Sequence, residues 1–255
     1  MRCAVPIAIA LVAGLSFLAG CATPTATAAA GGIDPQADRC LREMSETLAA
    51  ARQFTFRYRV ASELLLVEGR PVAAATERRV AVRRPDGLAI TLMSSAGRRQ
   101  LWFDGQRFVS LDLARNAYAQ FDVRPNIEEL CVTLTRDYQV DTPFVRLILF
   151  ADPYAAIRPR LEGARYLGIE SLGGQKCHHL ALAEPTRTWE LWVAIRPAAV
   201  PRRLTARFLD DPQRPPLEAE FDDWNLNARL ADDLFEPRVP AGAYEVELVD
   251  LAGVP

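Results

Sequence analysis

The chain has 255 residues, 50% of them apolar, with 30 Lys and Arg against 32 Asp and Glu, for a net charge of −2. Such an even balance excludes the basic footprint that nucleic acid recruits, and the apolar half excludes a disordered chain. The length fits one all-β domain as well as two smaller ones, and no internal linker divides it, so one folded domain is expected over residues 34–255.

Residues 1–20 open with Arg2, continue as an apolar run from Ala4 to Phe17 and end in small residues before Cys21. This is the layout of an export signal and is too short for a membrane span. Its removal takes away Arg2 alone, leaving 29 basic against 32 acidic groups, or −3. Leu18-Ala19-Gly20-Cys21 resembles the lipobox of bacterial lipoproteins. That resemblance implies cleavage before Cys21, attachment of palmitate-type acyl chains there, and a membrane as the first partner. Ala22, in place of an aspartate, resembles lipoproteins sent on to the outer membrane, which implies a domain held at its inner leaflet and facing the periplasm. Residues 21–33 are nearly all Ala, Thr, Pro and Gly and read as a lipidated N-terminus with a flexible tether.

The first folded element is expected to be a helix from Pro35 to Arg52, capped by Asp34, with Leu41, Met44 and Leu48 as its buried stripe. Phe54, Phe56, Tyr58 and Val60 then alternate with Thr55, Arg57 and Arg59, the period of a strand. Turn signals follow in quick order as far as Asn116, among them Asp104-Gly105 between apolar runs, and predict a meander of six strands. Asn126 caps a second helix with Glu128 and Glu129 in its first turn. A third runs from about Pro143 to Phe150, after which Pro153 and Pro159 are expected to break the chain.

Five more strands begin near Ala164. Trp189, Leu191, Val193 and Ile195 share a face. So do Leu204, Ala206 and Phe208, and likewise Leu217, Ala219 and Phe221. Arg203, Thr205 and Arg207 point the other way, opposite Glu218 and Glu220 on the next strand, a favourable cross-strand arrangement. About eleven antiparallel strands with two or three helices predict a mainly β, α+β fold, a strongly curved sheet wrapped around the helices that protect its apolar face.

Arg83-Arg84-Pro85-Asp86, Trp102-Phe103-Asp104-Gly105, Tyr118-Ala119, Cys177-His178-His179-Leu180, Leu191-Trp192-Val193, Val200-Pro201-Arg202-Arg203, Asp223-Trp224 and Phe235 with Pro237 resemble the landmarks of the DUF2092 family of predicted periplasmic proteins, in the right order. Thr188 departs from that pattern, which has an acidic residue there. The resemblance implies a fold similar to the lipoprotein carriers and receptors of the LolA/LolB type, an unclosed half-barrel with helices as its lid. It also implies that Cys40 and Cys131, on helices brought together in the concavity, form a disulfide, leaving Cys177 over.

No catalytic constellation stands out. His178 and His179 are the two histidines and face opposite ways on a strand. Cys177 and His179 share a face without further Cys or His ligands nearby, so no metal and no cofactor are expected. Nucleophile elbow, zincin and phosphate-loop motifs are absent, and a non-enzymatic protein is expected. The carriers of the implied fold hold acyl chains, so Phe54, Phe56, Tyr58, Leu191, Val193, Leu204, Ala206 and Phe208 are the candidate lining of a cavity for a lipid chain or lipidated partner. The alternative is a protein-interaction or envelope-sensing domain resembling RseB-like regulators.

Overall fold

Side-chain alternation dictates a sheet with one dry face, and the computed structural model builds that sheet. It describes residues 31–67, 70–95, 97–138, 144–211, 213 and 215–248, so the expected signal, Cys21 and most of the tether lie outside the described residues. The first meander comprises β2 (Gln53–Val67), β3 (Arg70–Arg83), β4 (Gly87–Ser94), β5 (Gly97–Phe103), β6 (Arg107–Asp112) and β7 (Ala117–Asp122). The second comprises β8 (Gly163–Leu172), β9 (Gln175–Glu184), β10 (Arg187–Ala194), β11 (Pro201–Phe208) and β12 (Leu217–Asn225). All these strands pair antiparallel with their successors within each meander, and β12 pairs antiparallel with β2, fusing the two.

Two strands beyond the expected eleven, β1 (Gly32–Ile33) and β13 (Tyr244–Glu245), pair in parallel with β8 and β7 at the two edges. Two residues carry no readable period, which is why alternation does not announce them. The resulting 13-stranded sheet is curved and unclosed, as the sequence predicts. At the Asp104-Gly105 turn, Asp104 Oδ1 accepts the N–H groups of Gln106 and Arg107 at 2.9 and 2.8 Å. Gly105 has φ +89, and a Cβ there would stand 2.8 Å from that of Asp86. Glycine is the residue that such a turn tolerates.

The helices are α1 (Pro35–Ala50), α2 (Ile127–Tyr138), α3 (Val145–Leu149) and α4 (Pro153–Ile157). Asp34 Oδ1 accepts from Gln36 and Ala37 N–H at 2.7 and 3.4 Å and starts α1. Leu41, Met44 and Leu48 are fully buried, each contributing roughly 1.5–3 kcal/mol of burial. The expectation that Pro153 interrupts the chain is corrected: it occupies the first turn of α4, with Asp152 as its cap accepting Ala155 N–H at 2.9 Å. Proline has no N–H to donate, and the first turn of a helix needs none.

All four helices and the inward residues of β2 to β12 share one apolar core on the concave side. A smaller cluster lies on the convex side. There the chain after β12 crosses the sheet and buries Phe235 against Ala89, Trp102, Val109 and Leu111. It then joins the sheet edge as β13 and returns Leu248 to the main core.

Candidate functional site

The concave face is built from the alternation of β2. Phe54, Phe56 and Tyr58 form a ladder with ring centroids 6.1 and 5.9 Å apart. Its neighbour β12 contributes Phe221, 5.7 Å from Tyr58, and Trp224, stacked on Phe56 at 4.6 Å and 12°. Trp224 faces inward because the β12–β2 register shifts between Asp222 and Asn225, with Asp223 at φ +52. Its indole N–H donates to Pro201 O at 3.0 Å. The bulge sends Asp222 and Asp223 together to the convex side, where Arg57 meets them at 2.7 and 3.2 Å. Burial pushes the Asp222 carboxyl up. The hydrogen bond from Arg57 and the charges of Arg57, Arg59 and Arg202 outweigh that and hold it below its ordinary value.

Leu191, Val193, Leu204 and Ala206 line the same concavity as Phe54, Phe56 and Tyr58, so seven of the eight candidate residues are brought together. Phe208 sits at the end of β11, where the Arg187 guanidinium lies 5.9 Å from its ring. All eight are at most 8% exposed. Access to them therefore depends on the helices that cover them.

The cover is apolar beneath and polar at its margins. Phe144 at the start of α3 lies edge-on to Tyr58 and Phe221, at 5.0 and 5.6 Å. Leu147, Ile148 and Ile157 complete the underside. At the margin, Arg84 donates to the carbonyls of Ile148, Leu149 and Phe150 at 2.9, 2.5 and 2.7 Å, capping the negative end of α3. Burial lowers the Arg84 pKa to about 10, so it remains a cation at neutral pH. Glu128 of α2 accepts Ala151 N–H at 2.7 Å.

On the other side, Ser45 of α1 accepts Tyr154 N–H at 2.9 Å, and the Tyr154 hydroxyl donates to Asp38 at 2.6 Å. Arg42 donates to that hydroxyl at 2.6 Å and lies over its ring. Arg84 and this α1–α4 contact are the residues that sequence reasoning missed. Nothing local signals them, because each partner is more than sixty residues away in the chain.

The expected Cys40–Cys131 disulfide is not formed: Cys40, Cys131 and Cys177 are all buried free thiols. α3 packs against both α1, which carries Cys40, and α2, which carries Cys131. Cys40 receives a hydrogen bond from Gln36 at 3.9 Å, while Cys131 is covered within the core. Burial pushes their thiols up to about 11 and about 12, far from the thiolate range.

Cys177 and His179 do share the convex face. His179 is held between Glu170 and Glu190 at 2.8 and 2.9 Å, with Trp192 stacked on it at 4.1 Å. The Trp192 N–H bond, with further support from His179, holds the Glu170 carboxyl below its ordinary value despite some burial. His178 faces the other way and meets the Tyr166 hydroxyl at 3.0 Å. Among the described residues, no group of three or more His, Cys, Asp and Glu side chains is placed to hold a metal ion.

A family model described as a predicted periplasmic protein, DUF2092, matches residues 37–249. The chain belongs to the DUF2092 family. The match runs from α1 to beyond β13 and takes in every landmark from Arg83 to Pro237, so the DUF2092 domain is the folded domain and is periplasmic. Among curated proteins no sequence matches the chain.

Several solved structures are similar to it. An uncharacterized conserved protein from Thermus thermophilus is 10% identical, with 83% of this chain and 99% of that one covered and a TM-score of 0.49. MucB is 13% identical, with 81% and 65% covered and a TM-score of 0.48. The Mycobacterium tuberculosis lipoprotein LppX is 11% identical, with 78% and 100% covered and a TM-score of 0.48.

Proposed function

We propose that this DUF2092 protein is a lipid-anchored binding protein, held by Cys21 at the inner leaflet of the outer membrane, whose concave face accepts the acyl chain of a lipid or of a lipidated partner. The role is binding, not catalysis. One observation carries the reading: the contrast between the two sides of the helical cover. Among the described residues, its underside packs into the core through Phe144, Leu147, Ile148 and similar apolar groups, while polar contacts at the rim, chiefly of Arg84 and Tyr154, hold its margins.

Apolar contact is non-directional, so a surface of this kind closes as well over an alkyl chain as over its own side chains. The rim contacts are directional and re-form in one place. Binding is thus an exchange of apolar neighbours under a cover whose position is set elsewhere. The eight concave candidates are at most 8% exposed beneath this cover, so α3 and α4 must move for a chain to enter. Native mass spectrometry of protein extracted gently from its own membranes tests this. Non-covalent adducts of phospholipid or fatty-acid mass are expected beyond the lipid attached at Cys21. Lipid-free protein bound to a protein partner would sink the reading in favour of an interaction domain.

A further inference from the structure

The convex face carries a groove, on the side of the sheet opposite the concavity. Two neighbouring rows of outward side chains cross β2 to β5 there. The strand register aligns Thr55, Ala81, Ala89 and Trp102 in one row, and Arg57, Arg79, Thr91 and Gln100 in the next. The two adjacent alanines leave a trough between flanking larger groups. Leu234, on the segment that crosses this face, walls it, and the groove so formed encloses about 460 Å³.

The chemistry of the lining is specific. The Trp102 indole N–H, the Thr55 and Thr91 hydroxyls and the Gln100 amide have no hydrogen-bond partner among the described residues, and none of these atoms is sealed from solvent. The charges at the rim are committed elsewhere: Arg57 to Asp222 and Asp223, and Arg79 to Glu77. An anionic ligand would face Asp223, and a cationic one would face the two arginines. What remains available is a shallow apolar floor, with the small exposed part of the Trp102 indole at one end and a set of neutral donors and acceptors beside it.

We propose that this groove binds a neutral saccharide. A pyranose ring has an apolar C–H face suited to the Ala81–Ala89 floor, where the strand register leaves two small residues side by side. Its equatorial rim of hydroxyls suits Thr91, Gln100 and Thr55. Three strand spacings separate Thr55 from Trp102, roughly 14 Å, enough for a disaccharide lying flat. The volume is also in the range of small-ligand sites.

Titration of the full chain with N-acetylglucosamine, its β-1,4-linked disaccharide and maltose tests the proposal, read by saturation-transfer NMR and by tryptophan fluorescence. At least one sugar is expected to bind saturably, with the disaccharide tighter than the monosaccharide. Ala89→Leu, which fills the trough, and Gln100→Ala, which removes a polar contact without adding bulk, are each expected to weaken binding by about tenfold or more. The second variant decides the matter if the first does not fold. Absence of binding by all three sugars, or equal binding by Gln100→Ala and the parent, overturns the proposal. Preferential binding of tri-alanine over the sugars overturns it in favour of a peptide site. Acyl binding in the concavity is expected to be unchanged by either variant, since the two sites lie on opposite faces.

Discussion

Arg84 shows how one side chain holds a cover in place. Its guanidinium replaces the missing hydrogen-bond donors at the end of α3, and three carbonyls converge on it. Arg84→Met keeps the bulk and removes the donors. It is expected to destabilise the protein by roughly 1.5–3 kcal/mol in urea unfolding, the range for hydrogen bonds to charged groups. A change below a few tenths of that would show that the carbonyls find other partners. Asp222 gives the acid limit. Its folded pKa lies below its ordinary 3.8, so the stability it supplies with Arg57 is present at neutral pH and is lost as pH falls through the folded value. Asp222→Asn should therefore be less stable than the parent at neutral pH, and the gap should shrink between about pH 5 and pH 3. A gap that stays constant across that range would contradict the assignment.

With Cys40 on α1, Cys131 on α2 and Cys177 in β9 all buried as free thiols, none of these three is expected to react with Ellman's reagent in the native state. All three should react after unfolding without a reductant. A native protein that yields only one thiol on unfolding would restore the disulfide. The same elements show what is legible in the chain. The faces of β2, β10, β11 and β12 can be read because alternation is local: Phe54, Phe56 and Tyr58 point inward and Arg57 outward, as two-residue periodicity requires. Asp152-Pro153 carries the same cap-and-proline signature as Asp34-Pro35, and its helix is missed when proline is given its breaking role alone. The inward turn of Trp224 is not legible. It depends on a bulge whose partners, Arg57 and Pro201, come from other strands.

At the scale of the whole molecule, one sheet separates two faces of different chemistry, and the reading of each depends on where the chain is held. Acyl chains at Cys21 would add about 0.8 kcal/mol per buried CH₂, so more than one chain is needed for stable anchoring. Cys21→Ala is expected to leave the protein soluble or unprocessed. Membrane fractionation of a processed Cys21→Ala protein would place the anchor elsewhere. Photolabelling locates an acyl chain held in the concavity. A palmitic acid carrying a diazirine on its chain is bound to the full protein and irradiated, and the labelled peptides are mapped by mass spectrometry. Label is expected on the inward residues of β2, β10 and β11, among them Tyr58, Val193 and Ala206, competed away by unlabelled phospholipid. Label confined to the convex face around Trp102, or no specific label at all, would contradict acyl binding in the concavity.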